Sequence, residues 1–549
     1  MVGSSAPAPV AIDLKNGGVG LDGLSRKVDK SERITSVAGA ERELNNLTGI
    51  AASNATWRDK DDTNWRGYKD VIALFSTAIG GDGGDANSGS GSLVVNPPAG
   101  TIFVGNGGEG GVGGNAAAAI RDSALNTGLG NDRISLFATA IGGDGGDANG
   151  GSRNTVKNPA GPTIVGNGGQ GGDGGGASAT IENVSISAGA GNDKISVFAT
   201  AIAGDGGDAN GGNRNTVVNP ADTVVVGNGG IGGAGGEAIL SISNLSINAG
   251  TGNDRISVVS KAVGGDGGDA NGGNGNVVKG LAKLAATGTG ANGFDITAEI
   301  RSVTVDGGAG NDQISISLSA NLAAASKSTL ASMGTATLML IDSVFSGGDG
   351  NDTFTLSAFS SMSSTKHQAL RNKFDGGAGQ DTLDMKSWST GVTVDFNKSA
   401  LRLAADGTNK VDNIETFIGT KYKDEFVFSA DAGATVTGGK GSDMFMLSAT
   451  AGKEKSYIMD FSTRDGDKLA IDAFSFGQGF AKNSPPLLEI GDLGATDKVR
   501  SGSSLIYDNV GSDAGTLYFD ATGGTADDAM SLIVLANRPT LTTADILFV

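Results

Sequence analysis

The sequence repeats itself at an almost constant step between about residue 67 and residue 290. The segment Gly142-Gly143-Asp144-Gly145-Gly146-Asp147-Ala148-Asn149 recurs around Asp82, Asp205 and Asp266, at steps of 61 or 62 residues by subtraction of the numbering. Another aspartate lies twelve positions before the first aspartate of each copy, and these four set the register: Asp70, Asp132, Asp193 and Asp254. Units repeated at a fixed step stack on their own copies. The repeat therefore predicts a solenoid and not a globule.

Short apolar runs lie between the glycine segments. Residues 195–202 and 239–243 place small polar residues between apolar ones, which is the two-residue period of β-strands. The glycine segments have a three-residue period, Gly-Gly-x, typical of a polyproline-II helix whose backbone approaches its neighbours closely. With 94 glycines but only 10 prolines in 549 residues, the chain is not collagen. We predict an all-β parallel β-solenoid with polyproline-II-type glycine segments. Flexible glycine linkers are the alternative, but linkers rarely keep Asp and Asn at fixed offsets.

Composition argues against several classes of function. Acidic residues outnumber basic ones by 59 to 40, so we expect a cation partner and no nucleic-acid partner. The chain has no cysteine and a single histidine, which excludes disulfides, thiolate metal sites and zinc sites built on two histidines. His367 lies among polar residues, and we expect it at the surface. Because neither H-E-x-x-H nor G-x-S-x-G occurs, we expect no enzymatic activity.

A nine-residue pattern, G-G-x-G-x-D-x-U-x with U a large apolar residue, begins at Gly307, Gly347, Gly376 and Gly438. Three earlier copies, around Asp132, Asp193 and Asp254, replace only the first glycine. This pattern resembles the nonapeptide of the RTX family, the haemolysin-type calcium-binding repeat of bacterial secreted proteins. Calcium takes six to eight oxygen ligands, which facing turns supply as backbone carbonyls and one carboxylate each.

The resemblance implies several bound Ca²⁺ ions in a solenoid like a β-roll. The carboxylate ligands would be Asp132, Asp193, Asp254, Asp312, Asp352, Asp381 and Asp443, with Asp349 adding to its site; turn backbone would contribute at Gly307, Ala309, Gly347, Gly376, Ala378, Gly438 and Lys440. The spacing departs from the family, in which facing turns are about 18 residues apart. Between Asp132 and Asp381 the aspartates are 29 to 61 residues apart by subtraction. Either longer coils bring the turns together or some sites bind weakly.

The aspartates of the glycine segments pose a separate question. Asp144 and Asp147 are three residues apart, so they share one face of a three-residue helix. Aligned copies would stack like charges. Two interpretations remain open: these aspartates bind a second row of calcium ions, or their carboxylates accept hydrogen bonds from backbone N–H groups.

The sequence divides into four regions. Residues 1–66 are a cap, anchor or junction that could include a small helical part, 67–290 the glycine-rich solenoid, 291–450 the calcium-binding region and 451–549 a C-terminal β domain. A short helix is expected at 360–373. The ending, Asp545 before Ile546-Leu547-Phe548-Val549, resembles the uncleaved signal of type I secreted RTX proteins, which implies export by an ABC transporter. That signal would explain why the first residues lack a signal-peptide pattern.

Together these features predict a secreted calcium-binding structural protein. It would fold on calcium and assemble outside the cell or at its surface, as a surface layer, a fibre or a matrix component. The expected partners are further copies of the chain, head to tail or in a lattice, the type I ABC transporter during export, and a cell-surface polysaccharide. The alternatives are a calcium-dependent adhesin that presents its N-terminal region, and an unrecognised secreted hydrolase.

Overall fold

The computed structural model describes residues 52–53, 56–58, 71–97, 100–279, 295–322, 335–361, 365–405, 407–428, 433–448, 454–476, 488–491, 504–521 and 529–549. Within these ranges the elements are β-strands and one 3-10 helix, Thr543–Asp545. The fold is thus nearly all β, and its sheets are mainly parallel, as in a solenoid. No helix in the described ranges is long and apolar enough to cross a membrane.

The repeat region winds through four coils, coil 1 (52–115), coil 2 (116–176), coil 3 (177–237) and coil 4 (238–279). Their strands are β1 (Ala52–Ser53), β2 (Thr56–Arg58), β3 (Val71–Ile79), β4 (Ala86–Asn87), β5 (Leu93–Val95) and β6 (Ile102–Val104) in coil 1; β7 (Ala116–Asn126), β8 (Arg133–Ile141), β9 (Ala148–Asn149), β10 (Thr155–Lys157) and β11 (Thr163–Val165) in coil 2; β12 (Ala177–Ser187), β13 (Lys194–Ile202), β14 (Ala209–Asn210), β15 (Thr216–Val218) and β16 (Val224–Val226) in coil 3; β17 (Ala238–Asn248), β18 (Arg255–Gly264), β19 (Ala270–Asn271) and β20 (Val277–Lys279) in coil 4.

The remaining strands form shorter coils and a C-terminal part. They are β21 (Ile296–Arg301), β22 (Thr304–Ala309), β23 (Gln313–Leu322), β24 (Ala336–Ile341), β25 (Val344–Asp349), β26 (Thr353–Ser360), β27 (Thr365–Leu370), β28 (Lys373–Ala378), β29 (Thr382–Ser387), β30 (Thr393–Asp395), β31 (Ala400–Ala404), β32 (Gly407–Asp412), β33 (Thr416–Ile418), β34 (Glu425–Val427), β35 (Thr435–Thr437), β36 (Met444–Leu447), β37 (Tyr457–Ile458), β38 (Lys468–Ile471), β39 (Leu488–Gly491), β40 (Ser504–Asp508), β41 (Thr516–Asp520), β42 (Met530–Leu535) and β43 (Ile546–Phe548).

One long sheet runs through the whole chain in the order β3-β8-β13-β18-β23-β26-β29-β33-β35-β37-β42-β41-β40-β39. Its neighbours pair in parallel as far as β42, where antiparallel pairing with β41 begins. A second set of stacked strands includes β7, β12, β17, β22, β25 and β28. The alternate apolar residues of both sets point inward and form one continuous core, with Ile134, Leu136 and Phe354 among its members.

Coils 1 to 3 of the repeat region each carry two glycine segments, and coil 4 carries the first of them. The first glycine segments are residues 80–85, 142–147, 203–208 and 264–269, and the second are 107–114, 168–176 and 229–236. They lie where the chain leaves the long sheet and returns to the second set of strands. Small parallel sheets, β5-β10-β15-β20, β6-β11-β16 and β4-β9-β14-β19, connect them, and Val156, Val165 and Val217 form a small core of their own.

The three-residue period of the glycine segments has a direct hydrogen-bonding explanation. In coil 2 the first glycine N–H donates to the next coil, as from Gly145 to the Asp205 carbonyl. The second donates to an antiparallel second glycine segment, as from Gly146 to the Gly111 carbonyl. The third N–H, of Asp147, donates to a carboxylate of the preceding coil, as described below. A Cβ on Gly145 or Gly146 would overlap a neighbouring backbone carbonyl, which requires glycine at these two positions of the triplet.

One expectation about elements needs correction. The helix expected at 360–373 is wrong, because Thr365–Leu370 and Lys373–Ala378 are strands that pair in parallel with β24 and β25. In the N-terminal region, β1 and β2 pair in parallel with β7. The rest of residues 1–66, with any helical part, lies outside the described residues, as does Asp70.

Candidate metal centre

The turns that carry the aspartates stack into a row despite their distance in the sequence. Each turn joins a strand of the second set to the long sheet, and backbone bridges connect consecutive turns. The backbone N–H of each aspartate donates to Oδ1 of the aspartate in the next coil, at 2.6–2.7 Å from Asp132 through Asp381. Glu415 ends the row by accepting the N–H of Asp381. Long coils therefore bring together turns 29 to 61 residues apart.

The second carboxylate oxygen distinguishes this row from an ordinary hydrogen-bonded ladder. Oδ2 of Asp193, Asp254, Asp312, Asp352 and Asp381 is buried and has no hydrogen-bond partner among the described residues. Such burial is costly for an ionised carboxylate. The residues therefore sit where a cation would lower the free energy.

Three turns of this row begin with Gly-Gly, and in each of them Oδ2 of the aspartate lies beside the first glycine. A Cβ placed on Gly307 would lie 2.5 Å from Asp312 Oδ2 and 2.6 Å from the Gly347 carbonyl oxygen of the next coil. Strand pairing between β22 and β25 skips Gly307 and Gly347. Carboxylate and carbonyl oxygens thus converge on a space that glycine leaves free. The turns of Gly347 and Gly376 repeat this arrangement, with the carbonyls of Gly376 and Asn413 as the facing oxygens. We call these three spaces the open cradles.

The three turns of the repeat region differ at that position. Thr127, Ala188 and Ala249 replace the first glycine, and all three are buried. The Thr127 hydroxyl donates to the Ala188 carbonyl at 2.8 Å. A methyl or hydroxyl-bearing side chain therefore stands where the other turns leave room. The donor set for calcium fits better at Asp312, Asp352 and Asp381 than at Asp132, Asp193 and Asp254.

Asp443 belongs to a different row. Its turn joins the long sheet back to β36, so it lies on the opposite edge of the solenoid, between Asp424 and Asp467. The same ladder continues there, from Asp424 N–H to Asp443 Oδ1 and from Asp443 N–H to Asp467 Oδ1. Asp443 Oδ2 is buried next to Gly438, and no residue that the structure describes donates a hydrogen bond to it. Asp424 and Asp467 instead receive hydrogen bonds on both oxygens from their own turns and neighbours.

The turn residues at the third position are less buried. The carbonyls of Ala309, Asp349 and Ala378 accept backbone N–H groups from preceding turns at 2.6–2.7 Å. The side chains of Asp349 and Lys440 are exposed. The Asp349 carboxylate therefore does not converge with Asp352 on the cradle.

Burial governs the protonation of these rows. Burial raises the pKa of Asp193 and of Asp443 to about 7, against hydrogen bonds that lower it. Burial also raises the pKa of Asp312 and Asp352 to about 6, helped by the neighbouring aspartates of the row. Near neutral pH, a proton or a cation is therefore needed to offset the charge.

The aspartates of the first glycine segments have a different role from those of the turns. Oδ1 of Asp82, Asp85, Asp144 and Asp147 accepts the backbone N–H of the matching aspartate in the next coil, at 2.8–3.0 Å. With Asp205 and Asp208, these carboxylates supply the acceptor for the third N–H of the triplets in coils 2 to 4. Of the two interpretations left open by the sequence, the N–H acceptor accounts for this row in the structure.

His367 is not a surface residue, contrary to the sequence-based expectation. It is half-buried beside a groove of about 560 Å³, its Nε2 lies 3.4 Å from the Ser389 hydroxyl, and its Nδ1 has no partner. Burial lowers its pKa. A triad would need an acidic partner at Nδ1, which no described residue supplies.

Three features escaped the sequence analysis. Asp467 takes part in the second row, and the signal was available as Gly466-Asp467-Lys468-Leu469, a shortened form of the nonapeptide. Glu415 ends the first row without any glycine before it, so no motif could have identified it. A complete nonapeptide also begins at Gly17, outside the described residues.

Within the described residues, no three or more His, Cys, Asp or Glu side chains gather into one metal-binding group. Any cation in the rows would thus rely on one carboxylate per turn and on backbone carbonyls. Comparison of the sequence with protein-family models gives no match, and comparison with curated proteins gives no significant match.

Proposed function

We propose that this chain is a secreted calcium-binding structural protein of the RTX type, whose coils complete their folding on calcium and assemble outside the cell. The observation that carries the proposal is the set of three open cradles. At each one, a buried carboxylate oxygen without a partner meets a backbone carbonyl beside a glycine. Oxygen ligands of this kind are those that calcium prefers.

Without a cation, the negative charge of the buried carboxylates in the rows is not sufficiently neutralised. Asp254, Asp312, Asp352 and Asp381 follow one another in adjacent coils, and each is buried. A divalent ion at an open cradle supplies positive charge next to Oδ2 of the aspartate. Because ions bind the stacked turns and not the unfolded chain, binding energy becomes folding energy. A chain with net charge −19 would be self-repelling in low calcium and neutralised in high calcium.

The C-terminal ending supports a link between export and folding. In the folded chain Ile546 and Phe548 are buried, and Asp545 accepts hydrogen bonds from Thr542 and lies 3.6 Å from Lys468. A transporter that reads this ending would have to do so before the last coil closes. Low calcium inside the cell would keep it accessible.

Calcium titration of the purified chain tests the central claim. Circular dichroism should gain β signal on addition of Ca²⁺, and isothermal titration calorimetry should count several ions, with Mg²⁺ as the control metal. The Asp352→Asn variant should bind fewer ions, whereas Asp349→Asn changes an exposed carboxylate in the same turn and should bind as many as the wild type. Equal titrations for all three proteins, or no response to calcium, would contradict the proposal.

Assembly is tested separately, by electron microscopy of the purified chain with calcium and with a chelator. We expect ordered layers or fibres only with calcium. Dispersed monomers at high calcium would rule out self-assembly and favour the adhesin, which cell-binding assays on the chain lacking residues 1–51 would then test.

A further inference from the structure

We infer that the outer face of coil 1 is a two-fold junction between two copies of this chain. This inference deepens the proposed assembly and rests on it. We define the coil 1 face as the exposed edge of β3, of the first glycine segment 80–85, and of β5 and β6.

Gly81 and Gly84 on this face lack the steric constraint that requires glycine in the inner coils, where a Cβ would overlap a backbone carbonyl. A Cβ on Gly143 or Gly146 in coil 2 would overlap the carbonyls of Gly81 or Gly84. A Cβ on Gly81 or Gly84 in coil 1 would meet nothing within 4 Å. Larger residues would fit there if the face were bare, yet the sequence keeps the full Gly-Gly-Asp-Gly-Gly-Asp. Close approach of another backbone explains these glycines.

The backbone of this face also has unused hydrogen-bonding groups. The N–H groups of Gly143, Asp144, Gly146 and Asp147 all donate to coil 1. Among the described residues, none accepts a hydrogen bond from the corresponding N–H groups in coil 1, which are those of residues 81, 82, 84 and 85. Within the described residues, β3 likewise pairs on one side only, with β8.

Two exposed side chains on this face are apolar where coil 2 has polar ones. Leu93 is 63% exposed where coil 2 has Thr155, and Val95 is 51% exposed where coil 2 has Lys157. Ile79 is 71% exposed, whereas the matching isoleucine of coil 2, Ile141, is partly covered. The terminal coil of a solenoid that ends in water carries a polar outer face. Coil 1 has the opposite pattern, which is typical of a covered surface.

The length of the unpaired edge of β3 indicates which partner covers the coil 1 face. β3 offers nine residues, whereas the other end of the long sheet is β39 with four, after an antiparallel stretch. At coil 4 the long sheet simply continues into β23. Of the two ends of the long sheet that the structure describes, the edge of β3 is therefore matched in length by another β3 and not by β39. Antiparallel pairing about a two-fold axis would place core-facing residues beside core-facing residues.

A register centred on Phe75 would continue an existing stack. The rings of Phe75 and Phe137 are stacked with centroids 5.0 Å apart, and Phe137 and Phe198 follow at 5.3 Å. Phe75 of a second copy would extend this stack across the axis. An isologous contact of this kind closes on itself and gives a dimer, unlike a head-to-tail contact.

Light scattering after size-exclusion chromatography of the full chain tests the junction. We expect twice the monomer mass for the wild type under conditions in which no layers or fibres form, and a melting temperature that rises with protein concentration. The double variant Gly81→Gln/Gly84→Gln should be monomeric yet folded, because its new side chains enter open space. Ile79→Lys should also be monomeric. Ile231→Gln, which changes an exposed residue on the flank of coil 3, should remain dimeric.

Three results would overturn the inference. These are a wild type that stays monomeric at all concentrations, variants that keep the wild-type mass, and variants that lose stability without a change of mass. The last result would show that the chain's own N-terminal residues cover the face. Masses are measured with and without calcium, so a failure of calcium binding in the titrations is distinguishable from a failure of the junction.

Discussion

Substitution of Gly347 by alanine should abolish calcium binding at one open cradle. The new Cβ would overlap Asp352 Oδ2 and lie 2.6 Å from the Gly376 carbonyl oxygen, which leaves no room for an ion. Gly347 does not have a left-handed backbone, so alanine adds no strain of that kind. The substitution therefore tests the cradle itself.

The size of the effect follows from linkage between binding and folding. At a calcium concentration 100 times its Kd, one site stabilises the fold by about 2.7 kcal/mol. For a cooperative unit of about 150–250 residues, this amounts to roughly 5–11 °C in Tm. The methyl group itself costs about 1–3 kcal/mol through overpacking, with or without calcium. The diagnostic quantity is therefore the calcium-induced increase in Tm and not Tm alone.

Calorimetry and thermal unfolding with calcium and with chelator measure this difference. Gly347→Ala should bind one ion fewer, and its calcium-induced increase in Tm should be smaller by the amount above. The reciprocal change, Ala249→Gly, removes the methyl beside Asp254 and should add one ion. An unchanged ion count and an unchanged calcium-induced increase in Gly347→Ala would refute the assignment of the cradle.

Three further outcomes are expected. Without calcium, urea unfolding should show stability falling as the pH rises from about 3.9, the unfolded pKa of aspartate, to about 7; burial raises the pKa of Asp193 and Asp443 to about 7, so the folded chain binds more protons over this range. Saturating calcium should remove this fall, and a slope that is the same with and without calcium would contradict the reasoning. Gly172→Ala should lower the free energy of unfolding by at least about 1–3 kcal/mol, because its Cβ would overlap the Gly111 carbonyl, whereas Gly176→Ala, with its nearest atoms 3.4 Å away, should be close to neutral. Asp205→Asn keeps an acceptor for the Asp266 N–H and should leave stability and ion count nearly unchanged, while Asp205→Ala should destabilise the layer; a lost ion in Asp205→Asn would instead indicate a second calcium row.

The sequence analysis predicted the structure correctly where each residue type has a single physical role. The strand pattern, the register of the four copies and the Gly-Gly-x period all followed from local constraints that the structure repeats in each coil. It failed at 360–373, where residues that read as a short helix are held as strands by pairing with β24 and β25. It also misplaced His367, because the groove around that ring is formed by residues distant in the sequence.

Only part of the candidate metal centre could be predicted from the sequence. The aspartates were identifiable from Gly-x-Asp spacing, but their division into two rows on opposite edges depends on whether a turn enters or leaves the long sheet. Asp443 therefore could not be separated from Asp381 by its motif. Glu415 joins its row only because a coil of the right length places it above Asp381.

The sequence by itself determined the period, the all-β architecture and the positions of glycine, because a stacked coil imposes the same local constraint every time the chain returns. Only the tertiary structure decided which turns meet and which oxygen atoms stay without partners. It also decided that the aspartates of both sets accept backbone N–H groups at Oδ1, while those of the turns from Asp193 to Asp381 also bury an Oδ2 that has no partner among the described residues. The reason is that a carboxylate's role depends on the atoms of the neighbouring coil, which can be 61 residues away in the chain.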